Sequence, residues 1–344
     1  MNLFLPSGYL DMEKIINIDA SFIFVIGARG TGKTYGAVKY ALDNDIKFIF
    51  MRRKQIQVDL IKNDSFNPFN AVDPDLMMKN INKSLSGVYR SIFDEEKQKR
   101  EPTGLPIGYI LALTTVSNIR GFDASDVELI IYDEFIGEKH EKAIKDESGA
   151  VLNAYETINR NRELNGSPPV KMLLLANSND LVNPVFTGLK LVKTAEKLQK
   201  SKENVYINKA RGLAIVMVKD SPISKQKADT ALYKLAGEGS DFSAMALDNA
   251  FVEDIADNIK TMPLNEYRPL VYVGELAIYQ HKSRKEIYVT DHRSGSCEEY
   301  DNSSIGLSRF RKNYYYIWLM YLQRQVIFEG YLLQKIFEQY YLLY

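Results

Sequence analysis

The chain has 344 residues, about twice a typical domain, so two domains are expected and each can bury a core. Its 44 basic and 44 acidic residues balance, which excludes a globally polybasic nucleic-acid binder and makes any such surface local. A single cysteine, Cys297, excludes an internal disulfide framework and fits a reducing compartment.

Met1 to Pro6 lacks a basic region and a long apolar stretch, so no signal peptide is expected. Phe22 to Ile26 is an apolar, β-branched and aromatic run that breaks into Gly27-Ala28-Arg29-Gly30-Thr31-Gly32-Lys33-Thr34. That fits Gly-x4-Gly-Lys-[Ser/Thr] with a strand before it, a phosphate-binding loop. Glycine at 27, 30 and 32 frees the backbone so that successive N–H groups can wrap an anionic phosphate chain. Lys33 supplies positive charge to the β and γ phosphates, and the Thr34 hydroxyl suits Mg2+ at the start of a helix. Gly27 through Tyr35 are therefore the candidate nucleotide-binding residues.

Ala37, Val38 and Ala41 then recur at helical spacing, and Lys47 to Met51 reads as a second buried strand. Strand alternating with helix predicts a mostly parallel α/β sheet, with ligands at the carboxyl ends of its strands. Residues 52–100 are polar and predict a helix or two and an exposed hairpin, with Asp94 to Glu101 as a solvated turn. Ile107 to Val116 restores a strand.

Glu128-Leu129-Ile130-Ile131-Tyr132-Asp133-Glu134 is an apolar strand ending in paired carboxylates. Downstream of a phosphate loop, Asp133 can hold the metal and Glu134 can polarise the attacking water. Ser148 to Leu164 predicts a helix with Val151, Leu152, Tyr155 and Ile158 on one face. It ends at Arg160 and Arg162, either surface charges or fingers reaching a neighbour's site. Val170 to Ala176 is a further buried strand ending at Asn177, which either forms a turn or holds the lytic water or senses the γ-phosphate. The lysines from 190 to 202 make either a solvated helix face or a phosphate-backbone contact.

From 219 to 240 the composition turns polar and reads as a linker with a short helix near 227–235. Leu270 to Gln280 and Glu286 to Thr290 then form a meander-like pair, and Arg309 to Tyr344 an aromatic-rich helical tail. The tail packs a core or stacks bases; Gln323, Arg324, Gln325, Glu329 and Lys335 interrupt it too often for a membrane span. His140, His281, His292 and Cys297 show no metal-ligand spacing, and Asp248, Asp254 and Asp291 no spacing that commits three acids to two metals.

Phe24 to Thr34, Phe48 to Arg53, Ile131 to Ile136, Arg160 to Glu163, Ala176-Asn177 with Val182 to Phe186, and Ala246 to Asn249 together resemble the genome-packaging ATPases of phi29-like small tailed phages. The resemblance covers the first 190 residues well and the last 140 in outline. It implies an additional-strand, catalytic-glutamate P-loop ATPase domain at 1–205 and a linker region at 206–245. At 246–344 it implies a smaller α+β domain, RNase H-like, with a vestigial nuclease that serves nucleic-acid binding and docking. Lys33 and Thr34 match its phosphate and Mg2+ residues, Asp133 and Glu134 its metal-binding and catalytic pair. Arg160 matches the finger donated in trans, and Asn177 the coupling motif. Where the family carries a lysine after Arg52-Arg53, this chain has Gln55, with Lys54 one residue early. Lys54 and Lys139 are the candidate DNA contacts.

The expected function is an ATP- and Mg2+-dependent motor that moves double-stranded DNA into a prohead through the portal. The resemblance implies a homopentameric ring, often with a structural packaging RNA, working in the host cytoplasm at the portal vertex and without a membrane. A helicase or partition-type ATPase, and a nucleotide-gated portal-docking subunit, are the alternative readings.

Overall fold

The structure, a computed structural model, describes residues 1–63, 67–119, 121–137, 141, 144–177, 181–219, 221–227, 230–236 and 258–342. The chain forms two compact units, Met1–Glu141 with Ala150–Asp180 and Thr194–Phe251, and Lys142–Gly149 with Leu181–Lys193 and Val252–Tyr344.

The first unit is built on nine strands: β1 (Phe22–Ile26), β2 (Phe48–Arg52), β3 (Leu76–Asn80), β4 (Leu85–Asp94), β5 (Lys99–Ala112), β6 (Leu129–Asp133), β7 (Lys171–Ala176), β8 (Val205–Asn208) and β9 (Leu213–Met217). They lie in the order β3-β4-β5-β2-β6-β7-β1-β9-β8. The six central strands from β5 to β9 pair in parallel, and β3, β4 and β8 add antiparallel edges. Strands covered on both faces by other elements have to be apolar throughout. β6 and β9 are accordingly buried at every position.

Helix α1 (Met12–Ile16) and α2 (Lys33–Asp43) cover one face of the sheet. Ala37, Val38 and Ala41 of α2 join Ile23 and Val25 of β1 in a common core, as period 3.6 meeting period 2 requires. The other face of β1 places Phe24 edge-on against Phe135, with ring centroids 5.8 Å apart. Helix α3 (Gln55–Ile61) follows β2, and α4 (Glu147–Asn159) buries Val151, Ala154 and Ile158. Leu152, expected on that face, is half exposed because the buried stripe advances from 151 to 154 to 158.

The start of the expected linker region, 206–217, carries most of β8 and all of β9; the continuous run Leu213 to Met217 is a buried strand pairing with β1. Much of the remaining expected linker, and Ala246 to Asn249 with Asp254, lies outside the described residues.

Helix α5 (Pro184–Gly188) belongs to the second unit, α6 (Val192–Lys200) spans both units, and α7 (Pro222–Lys227) and α8 (Ala231–Ala236) belong to the first. The second unit also carries β10 (Tyr267–Val273), β11 (Leu276–His281), β12 (Ile287–Thr290), β13 (Glu298–Tyr300) and β14 (Val326–Phe328), in the order β13-β10-β11-β12-β14. Leu270 to Gln280 is two strands rather than one, because Gly274 at φ +53° turns the chain between them. The aromatic tail is α9 (Ser304–Leu322), then β14, then α10 (Tyr331–Leu342). Trp318 stacks on Tyr341 at 5.3 Å, and Phe337 lies against Phe328 at 5.3 Å, so part of the tail is core. No helix among the described residues is long and apolar enough to cross a membrane.

Candidate active site

The strand order decides which side chains meet. β2, β6, β7 and β1 are consecutive and parallel, so Arg52, Asp133, Asn177 and the loop after Ile26 stand side by side at the carboxyl edge. Gly30 and Gly32 take φ of +70° and +90°, and Gly32 caps α2. Gly27 is needed for a different reason from the one expected. A Cβ there would sit 2.5 Å from Cβ of Val218, the residue after β9.

Lys33 is buried and lies back over the loop, donating to the carbonyls of Gly27 and Ala28 at 2.8 Å each and to Asn177 Oδ1 at 3.3 Å. The Thr31 hydroxyl donates to the Ala28 carbonyl at 3.1 Å, and Leu10 N–H donates to the Thr31 carbonyl at 3.0 Å. The segment before β1 thus fastens the loop from outside. Thr34 Oγ1 donates to both carboxylate oxygens of Asp133, at 3.0 and 3.1 Å.

Asp133 is 3% exposed, whereas the Glu134 side chain is 48% exposed. Glu134 leaves β6 at φ +56°, a left-handed conformation costing a non-glycine residue about 1–3 kcal/mol. That reversal ends the strand and projects the carboxylate into the cleft. Arg52 bridges the two acids, its Nη2 at 3.0 Å from Asp133 Oδ2 and its Nη1 paired with Glu134 Oε2. Sequence reasoning passed over Arg52 because its role depends on β2 lying beside β6; a cation closing a buried strand was the available signal.

A cleft of about 450 Å³ is lined by Arg29, Gly30, Gly32, Lys33, Thr34, Tyr35, Asp133, Glu134, Ala176 and Asn177. The Thr34 hydroxyl and the Asp133 carboxylate face one another as hard oxygen donors, the set that suits Mg2+. A second, larger cavity of about 1040 Å³ shares Gly30, Gly32 and Tyr35 with this cleft and has Tyr9, Tyr40 and Asp11 in its wall. Nothing in the motif marked the contribution of residues 5–13 to that wall.

The other candidates stand apart from this cleft. Arg160, at φ +44° just past α4, donates to the Phe122 carbonyl, and Arg162 donates to the Ala124 carbonyl at 2.6 Å. Neither lines the cleft of its own chain. Lys54 Nζ lies 3.6 Å from Glu141, and Lys139 falls outside the described residues.

Residues 5–266 match the family described as podovirus DNA encapsidation protein (Gp16). The chain belongs to this podovirus DNA encapsidation family. The DNA packaging protein of Bacillus phage phi29 is 30% identical over 262 residues, covering 72% of this chain and 67% of that protein. The DNA packaging protein of Bacillus phage B103 is 27% identical over 322 residues, covering 89% of each chain. Among solved structures, the Phi-28 gp11 DNA packaging motor has a TM-score of 0.63 at 19% identity, covering 96% of this chain and 97% of its own. The bacteriophage Phi-29 viral genome packaging motor assembly gives 0.60, also at 19% identity, covering 96% and 98%. The segment matching the DNA encapsidation family holds the whole cleft and ends at residue 266, just before β10.

Proposed function

We propose that this chain is the ATP-hydrolysing subunit of a viral DNA-packaging motor, moving double-stranded DNA through the portal of a preformed prohead. The reading is carried by one observation: Lys33, Thr34, Asp133, Glu134 and Asn177 converge on one cleft in a chain of the DNA encapsidation family. The triphosphate lies along the loop from Gly27 to Thr34, where Lys33 exchanges its carbonyl partners for phosphate oxygens. The tyrosine-walled cavity beside Gly30 and Gly32 is large enough for the base and ribose.

Thr34 and Asp133 would hold Mg2+, which when bound neutralises charge on the phosphate oxygens. Glu134, the more exposed acid, takes the proton of the attacking water once Arg52 releases it. Asn177 joins the end of β7 to Lys33 and so can transmit the state of the phosphates to that strand. Arg160 of a neighbouring subunit completes the site, a contribution worth about 10³–10⁵ in rate where an arginine acts in trans. The assembly on this reading is a homomeric, pentameric ring on the portal, with a structural RNA as a further partner. Lys54 and Lys139 are the proposed DNA contacts.

The deciding experiment measures phosphate release by the purified chain with and without duplex DNA, and DNA uptake into matched proheads. DNA-stimulated turnover that disappears in Glu134→Gln, together with uptake, is the expected result. Turnover unaffected by Glu134→Gln, or strand separation on forked DNA without uptake, overturns it.

A further inference from the structure

In the second unit, β12 and β14 pair in parallel with Val289 beside Phe328. Glu329 N–H continues the ladder by donating to the Val289 carbonyl at 2.9 Å. Asp291 and His292 follow β12 and Glu329 follows β14, so residues far apart in sequence leave neighbouring strands at the same end. His292 Nε2 lies 3.6 Å from Asp291 Oδ1 and 3.8 Å from Glu329 Oε1. One donor atom from each of the three residues falls within 4.8 Å of the others.

Those separations are close to what a metal ion requires. Two ligands at about 2.1 Å on a tetrahedral Zn2+ stand about 3.4 Å apart, so each imidazole–carboxylate pair has to close by only a few tenths of an ångström. The two carboxylate oxygens stand within 4.8 Å of one another and have farther to close.

The support behind the three residues is an independent observation. Thr290, 1% exposed, donates its hydroxyl to Glu329 Oε2, which leaves Oε1 turned toward the imidazole. The same hydroxyl accepts from His292 N–H at 3.1 Å. Tyr279, also fully buried, donates to the His292 carbonyl at 2.8 Å. Two buried hydroxyls therefore fix the backbone of one candidate ligand and the carboxylate of another, the outer-shell bracing that metal ligands receive. Lys193 Nζ sits 2.7 Å from Asp291 Oδ2, on the oxygen away from the imidazole contact.

We propose that Asp291, His292 and Glu329 form a binding site for a divalent cation of the Zn2+ class, with open positions facing solvent. One imidazole and two carboxylates suit Zn2+ better than Mg2+, which prefers an all-oxygen set. Lys193 lowers the negative charge of the site and sets its affinity below that of the three ligands alone. The site is outside the nucleotide cleft and is independent of the ATPase reading.

Calorimetric titration of ZnCl2 into the full chain without nucleotide tests the proposal, with thermal melting as a parallel readout. One equivalent should bind and raise the melting temperature. His292→Ala and Glu329→Gln should each weaken binding by about 100-fold and Thr290→Val by about 10-fold. Lys193→Met should tighten it. His292 is 72% exposed, so its removal leaves the core intact. As a second measurement, Co2+ should give visible ligand-field bands that His292→Ala loses. Absence of saturable binding, or binding equally tight in His292→Ala and Glu329→Gln, overturns the site and leaves an ion-pair network with Lys193.

Discussion

The Thr34 hydroxyl at the start of α2 and the Asp133 carboxylate at the end of β6 are hydrogen-bonded across the cleft, at 3.0 and 3.1 Å. The pair ties the glycine loop to the acidic strand. Replacing Thr34 with valine keeps the volume and removes the oxygen. Turnover should fall about 100-fold, equal to about 2.7 kcal/mol of transition-state stabilisation. Phosphate release measured beside binding of a fluorescent ATP analogue separates lost chemistry from lost binding; an equal loss in both argues against a metal-holding role for Thr34.

Arg52 holds the second prediction. Its guanidinium lies between Asp133 and Glu134 and over the Phe50 ring, 5.6 Å from the centroid. Removing one member of a largely buried pair leaves the partner uncompensated, at a cost of about 3 kcal/mol. Arg52→Met should therefore melt several degrees lower without Mg2+, and Mg2+ should recover more stability in the variant than in the parent chain. Equal Mg2+ responses in calorimetric scans would count against a shared cation position.

Gly27 gives a packing prediction. A methyl group there meets Val218, and overpacking of this kind costs about 1–3 kcal/mol. Gly27→Ala should lower the denaturation midpoint, and the loss should be smaller in a Val218→Gly background, which removes the Cβ that the new methyl group meets. A double-mutant cycle with no coupling between the two positions would show that the loop relieves the contact by another route.

The proposed trans role of Arg160 makes mixing experiments informative. Glu134→Gln and Arg160→Ala chains, each inactive alone, should regain hydrolysis at some interfaces when assembled together. Activity in the mixture no greater than the sum of the separate proteins would assign Arg160 to its own chain, where its partner is the Phe122 carbonyl.

Glu275, in the turn between β10 and β11, supplies a pH dependence. Burial pushes its carboxyl above the ordinary value, against the pull of Lys193 and Lys190, and one of its buried oxygens has no hydrogen-bond partner among the described residues. A carboxyl raised on folding stabilises the protein fully below the unfolded pKa, about 4.3, and loses that contribution as pH rises through the folded value. Glu275→Gln should thus melt higher than the parent near neutral pH, with the difference vanishing near about pH 4. A difference that stays constant across this range would rule out the charge as its origin.

The loop from Gly27 to Thr34, the acids at 133 and 134 and the amide at 177 were legible because each combines a local residue pattern with an apolar strand before it. What escaped depends on strand order. Arg52 acquires its partners only because β2 lies beside β6, and Leu213 to Met217 passes for a linker until β1 is seen to need a neighbour on that side. The same holds for Asp291, His292 and Glu329, whose meeting is set by the parallel register of β12 and β14. The reversal of Glu134 to φ +56° has no sequence signature at all, since glycine is the residue that usually marks such a position.

Arg52 also sets the electrostatic balance of the cleft. Among the described residues, Arg29, Lys33 and Arg52 stand with Asp133 and Glu134 at the cleft, three cations to two carboxylates, a small positive excess for a multiply anionic triphosphate. Under the proposed function an isolated subunit would be a weak receptor for its own substrate, and occupancy would rise when a neighbour or a metal ion brings further positive charge. Nucleotide affinity would then depend on protein concentration, and dilution alone would release ATP.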